Sequence, residues 1–155
     1  MWNFQEDLKK WKEYEEKAMN LLNDNWFNLI SNPEKKGMDL LMLENGIEIK
    51  VDEKSKFTWN FYIEFECNWK PSGIFREETI NLKWWWHSDW ERLFLLSGDQ
   101  LKKWVTEKID NCRANKSLTS KWTRVVEFWW NWGRTKGLLI PIQQFEELSE
   151  KIYTF

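Results

Sequence analysis

Between residues 4 and 23 apolar side chains recur at helical spacing: Phe4, Leu8, Trp11, Ala18, Met19, Leu21 and Leu22, with charges between them. Positions three and four apart fall on one face, which predicts an amphipathic helix. The stretch "NDNWFNLISNPEKK" reads as loop with a short strand at 27–30, and Pro33 and Gly37 punctuate its end. Two apolar runs, 38–43 and 47–51, then flank Glu44-Asn45-Gly46. Asn-Gly between two such runs predicts a hairpin. In "TWNFYIEFECN" Phe61, Ile63, Phe65 and Cys67 alternate with Tyr62, Glu64, Glu66 and Asn68, so a third strand with one buried face is expected.

The later pattern is more broken. "KPSGIFREETINLKWWW" turns at Pro71-Ser72-Gly73 and enters a short helix. Residues 91–96 read as a strand, 98–112 as a helix, 113–137 as basic and loop-rich, 137–141 as a short strand and 142–153 as a closing helix. The order is helix, three-stranded meander, helix, strand, helix. It predicts an α/β fold with a mixed central sheet and flanking helices. The chain of 155 residues shows no repeat and no linker, which predicts a single domain over 1–155.

Composition narrows the function classes. No segment holds about 18 unbroken apolar residues, so no membrane helix is expected. The opening "MWNFQEDLKKWKEYEE" is charged where a signal peptide is apolar. Cys67 and Cys112 make no disulfide framework, and a reducing cytoplasm is the expected location. His87 is the single histidine, which excludes chemistry that needs a histidine pair and leaves a structural zinc site without its ligands. In "WWWHSD" His87 reads as structural. The net charge of -2 is no nucleic-acid signature. Residues 101–137, however, carry nine basic residues (Lys102, Lys103, Lys108, Arg113, Lys116, Lys121, Arg124, Arg134, Lys136) against Glu107, Asp110 and Glu127, a local +6. Charge alone reads as either a phosphate-facing surface or a solvated face.

Tryptophan usage is abnormal: fourteen tryptophans stand beside six glycines. Several occupy turn contexts where the backbone favours positive φ and glycine is expected. Some lineages read the UGA codon as glycine, and translation under another code renders it tryptophan. Glycine at Trp2, Trp11, Trp26, Trp59, Trp69, Trp90, Trp122, Trp129, Trp130 and Trp132 would leave four tryptophans and sixteen glycines, an ordinary composition. The rival reading is an aromatic surface for stacking bases.

The charged residues of the hairpin are the candidate chemistry. Side chains alternate along a strand, so Glu48 and Lys50 share a face while Ile47, Ile49 and Val51 point to the core. Asp39, on the preceding strand, can come beside Glu48. Two carboxylates there can hold Mg²⁺ through hard oxygen ligands. The metal would offset charge on a scissile phosphate and acidify a bound water, with Lys50 serving the water or the phosphate. Taken alone, Glu48-x-Lys50 reads as a surface ion pair; Glu34-Lys35-Lys36 shows how readily the pattern arises. The context separates the two, because Glu34 follows a proline in a loop and Glu48 sits mid-strand.

Helix, "GMDLL", turn and "IEIK" together resemble the PD-(D/E)XK nuclease superfamily, with Met38 where the family name has proline. The continuation "VDEKSKFTWNFYIEFECNWKPSGI" is similar to phage and bacterial members with a T-G-N…E…G-K-P-S-G pattern, Trp59 and Trp69 standing at its glycines. "KKWKEYEEKAMNLL" resembles the first helix of the archaeal Holliday-junction-resolvase branch, where Glu15 takes the place of a helix-borne ligand, with Glu13 and Glu16 as close rivals. The resemblance covers roughly residues 8–96. It implies a restriction-endonuclease-like αβββαβ core and a Mg²⁺-dependent DNA endonuclease, with Mn²⁺ able to substitute. Asp39 and Glu48 would bind metal, Lys50 and Glu15 would join them in catalysis, and Thr58, Asn60, Lys70 and Ser72 would contact substrate. Small members often act as homodimers. Two alternatives stay open: a non-catalytic nucleic-acid-binding or interaction domain on the same fold, and an unrelated structural α/β protein.

Overall fold

The computed structural model describes residues 4–25, 30–31, 40–42, 45–52, 54–76, 82–89, 91–114, 119–120, 123–130 and 133–155. Helices and strands mix, as an α/β fold requires, but the strands divide between two sheets. The first has the order β1 (Ile30–Ser31), β2 (Leu40–Met42), β3 (Asn45–Val51), β6 (Leu82–Ser88), β7 (Arg92–Ser97) and β11 (Lys151–Thr154). The second has the order β5 (Lys70–Pro71), β4 (Asn60–Cys67), β10 (Gly133–Pro141), β9 (Thr123–Trp130) and β8 (Thr119–Ser120). Only β3 and β6 pair in parallel among these strands. The helices are α1 (Phe4–Asp24), the single turn α2 (Ser55–Thr58), α3 (Gly98–Ala114) and α4 (Ile142–Leu148). Among the described residues no helix is long and apolar enough to cross a membrane.

Two cores cover the two faces of the first sheet. On one face Tyr14, Ala18 and Leu22, four residues apart on α1, pack against Ile47, Ile49, Leu93, Leu95 and Tyr153. That spacing places them on one helix stripe. The other face meets the second sheet. Phe94 and Leu96 join Phe61, Ile63 and Phe65 of β4, Leu138 and Ile140 of β10, Leu101, Val105 and Ile109 of α3, and Ile142 and Phe145 of α4. Burying each large side chain of this kind stabilises by about 1.5–3 kcal/mol.

Several expectations need correcting. Asn60–Cys67 is a strand, but it pairs with β10 and β5 in the second sheet instead of completing a meander beside β3. Alternation marks one face as buried without saying against what. Asn45 and Gly46 lie inside β3, paired with Met42 and Leu41, so the hairpin connection is one step earlier than Asn-Gly predicts. Register follows the buried Ile47/Ile49 face. Much of the basic stretch 113–137 is not loop but the β9–β10 hairpin. The expected helix after Ser72 is a short 3₁₀ turn, Gly73–Phe75, and the closing helix stops at Leu148 before β11.

Candidate active site

Strand β3 delivers the expected pair to the face opposite α1. Glu48 is buried, 1% exposed, and its carboxylate forms an ion pair with the Lys50 ammonium, which is 43% exposed. The two-residue strand period puts them on one face, as predicted from the sequence. A third group completes the cluster: Arg76 Nη2 donates to Glu48 Oε1 at 3.0 Å. Two cations therefore converge on one buried anion, and both keep part of their length in water.

Arg76 is the residue that sequence reasoning missed, and the "KPSGIF" run explains its position. Ser72 donates to the Glu64 carboxylate, and its amide donates to Phe65 O at 3.0 Å. Gly73 has φ +55°, and a Cβ there would sit 2.1 Å from Glu64 O. Ile74 is fully buried in the core. The Phe75 amide donates to Ser72 O at 3.1 Å and closes the turn. These contacts fix the chain on β4 and aim Arg76 at β3. No local signal marks the pair, since 28 residues separate Arg76 from Glu48.

His87 lies beneath the cluster, paired in register with Lys50. Its ring packs 4.3 Å from Phe61 and 5.3 Å from Phe145. Burial, and then the Lys50 charge, push its pKa down to about 3, so the ring is neutral. Asp52, the residue after β3, is committed elsewhere. The Tyr62 amide donates to its Oδ2 at 2.9 Å and the Lys54 amide to its Oδ1 at 3.1 Å, which ties the first sheet to the second. Burial raises its pKa, against these hydrogen bonds.

The remaining candidates scatter. Asp39 lies outside the described residues. Glu15 is half-buried on α1, and α1 covers the Ile47/Ile49 face while Glu48 and Lys50 leave the other. Thr58 and Asn60 hydrogen-bond around the turn at residue 59: Thr58 Oγ1 donates to Lys54 O at 3.1 Å, and Asn60 Nδ2 donates to Thr58 O at 2.5 Å. Lys70 is exposed beyond the far end of β4, roughly 23 Å away along an eight-residue strand. Ser72 is engaged by Glu64. Thr58, Asn60 and Ser72 thus do turn work, and Lys70 stands apart from the first two. In the basic stretch Arg134 is buried against Glu66 and Glu127, which withdraws it from any phosphate-facing role. Lys103, Arg113 and Arg124 are exposed on α3 and β9.

Among the described residues no three metal-ligating side chains gather. The donor set suits a hard divalent cation in part: Glu48 offers a buried carboxylate, held now by side chains that reach solvent. Compared with known protein families, curated proteins and solved structures, the chain finds no match.

Proposed function

We propose that the protein is a metal-dependent DNA endonuclease of the PD-(D/E)XK type, on a restriction-endonuclease-like core. One observation carries the reading: a carboxylate buried mid-strand, with a partly exposed lysine two residues on along the same face. A buried acid is costly unless paired, and even a paired one adds little to stability, so a chemical use would account for its place here. Glu48 and, from the sequence, Asp39 would hold Mg²⁺. When bound, the ion would offset charge on the phosphate and acidify water. Lys50 orients the attacking water by hydrogen bonding, and its positive charge favours the developing phosphate charge. Arg76 is the resident counter-ion of Glu48, near enough to meet a phosphate oxygen when a divalent cation takes the carboxylate.

A second reading has its own support. Glu48 is already engaged by Lys50 and Arg76, as a purely structural ion cluster would be. A non-catalytic nucleic-acid-binding domain would show that arrangement. Nicking of supercoiled plasmid and of branched DNA, with Mg²⁺ or Mn²⁺, separates the two. The expected result is metal-dependent cleavage that drops about 10²–10⁴-fold in Lys50→Ala while DNA binding is kept. Cleavage that survives Lys50→Ala and Glu48→Gln unchanged, or binding without cleavage on every substrate, rejects the nuclease.

A further inference from the structure

Among the described residues three non-glycine positions have positive φ, and two of them are tryptophan: Trp59 at 57° and Trp69 at 68°, beside Asn68 at 48°. A bulky side chain there is an outlier, because its Cβ crowds the backbone. Both sites have a structural role that asks for glycine. Residue 59 ends α2 in the left-handed conformation, φ 57° and ψ 22°, with its amide donating to Ser55 O at 2.7 Å. That is the position past a helix end where glycine is the usual residue. Residues 68 and 69 connect β4 to β5, since Cys67 pairs with Lys70. A two-residue hairpin with both central φ values positive is a type I′ turn, whose favoured sequence is Asn-Gly. The chain has Asn-Trp.

Hydrophobic burial does not account for the tryptophans: Trp59 is 72% and Trp69 73% exposed. Nor do they form one stacking platform, because they sit at opposite ends of β4. Trp104 contrasts with both. It lies within α3 and packs against the core.

We infer that residues 59 and 69 are glycine in the protein as its host makes it, each encoded by UGA. Among the described candidates the structure sets these two apart. Trp11 is helical and Trp129 and Trp130 lie in a paired strand, where nothing in the backbone asks for glycine. The inference stands apart from the nuclease reading and holds or fails without it.

The test is the gene and the protein from the host cell. UGA is expected at both codons, and peptide mass spectra are expected to show glycine at each. A UGG codon at 59 or 69, or a peptide carrying tryptophan at either, overturns the inference and leaves the exposed rings as base-stacking candidates. Recombinant chains give a second reading. Trp59→Gly is expected to raise Tm by roughly 2–8 °C, from the strain of a left-handed residue, and Trp59→Ala, which keeps a Cβ, by less. A Tm lowered by Trp59→Gly counts against it.

Discussion

Glu48 and Arg134 are buried charges of opposite sign, one in each sheet. Glu48 faces two cations, Lys50 and Arg76, which are 43% and 33% exposed and leave the cluster with one net positive charge. Arg134 is 2% exposed and faces two anions, Glu66 on β4 and Glu127 on β9 at 3.3 Å. Lys136 adds 3.4 Å from Glu127 and brings that cluster to neutrality. Its anions flank β10 on both sides, and the backbone is clamped as well: Arg134 N donates to Asn68 Oδ1 at 2.9 Å, and Asn68 N to Arg134 O at 2.8 Å. Arg134 is thus built into the sheet. Lys50 and Arg76 are each partly exposed, and on the nuclease reading an incoming cation or phosphate would exchange with them. Burial alone does not mark a functional charge; what matters is whether its partners can leave.

The largest expected effect tests that contrast directly. Arg134→Leu removes the buried guanidinium and its charged hydrogen bonds to Glu66 and Glu127, and is expected to cost about 2–3 kcal/mol. Glu48→Gln frees two cations that can extend into solvent, and is expected to cost about 1 kcal/mol or less. Urea unfolding of both variants checks the ranking. Equal costs would make the Glu48 cluster structural and remove the main support for a nuclease.

Acid separates the clusters next, because the chain's single histidine lies under Lys50. His87 titrates near 3 when folded and near 6.5 when unfolded. The unfolded state therefore binds the extra proton as pH falls through 6.5, and stability is lost from there down to about 3. Between pH 6.5 and 5 the loss is about 2 kcal/mol. His87→Phe is expected to flatten this slope in urea midpoints measured against pH, whatever its baseline stability. An unchanged slope would assign the acid sensitivity to other groups.

Arg76 and Lys50 differ in what they do to a metal. As a fixed positive charge 3.0 Å from Glu48, Arg76 opposes a second cation on the same carboxylate. Removing it as Arg76→Ala is expected to tighten Mn²⁺ binding several-fold, roughly 1 kcal/mol for a charge pair in a half-solvated site. Titration calorimetry reads this without any substrate. Weaker Mn²⁺ binding would mean that Arg76 positions Glu48 as a ligand instead of competing for it.

The sequence carried some of this and not the rest, for physical reasons. Periodicity located α1, β3, β4 and α3, because each buries one stripe or one face. It also put Glu48 and Lys50 together, since period two is a property of the strand itself. It could not show that β4 leaves the hairpin for a second sheet, because Phe61, Ile63 and Phe65 would look the same against either core. The β9–β10 hairpin was hidden because no Asn-Gly or Asp-Gly pair occurs between residues 123 and 141. Arg76 was invisible because its partner is far away in sequence. The K-P-S-G run stands out in the sequence as a motif, but its physical role, setting Arg76 over Glu48, depends on how Ser72 and Gly73 lie against Glu64.

The smallest effect concerns which exposed cations meet a phosphate. Lys136 is 30% exposed and tied to Glu127, and an ion pair of that kind contributes less than about 1 kcal/mol. Its charge is already spent within the protein, so on binding DNA it has little left to neutralise. Lys103 on α3 is exposed and lies on the helix that also carries exposed Arg113. Each lysine that contacts a phosphate adds about one counterion to the salt dependence of binding. Lys103→Ala is therefore expected to lower the slope of log affinity against log salt by about 1, and Lys136→Ala to leave it unchanged. The reverse outcome would mean that the Arg134 cluster opens to bind DNA, and the division between a built-in and an exchangeable charge cluster would fail at the second sheet.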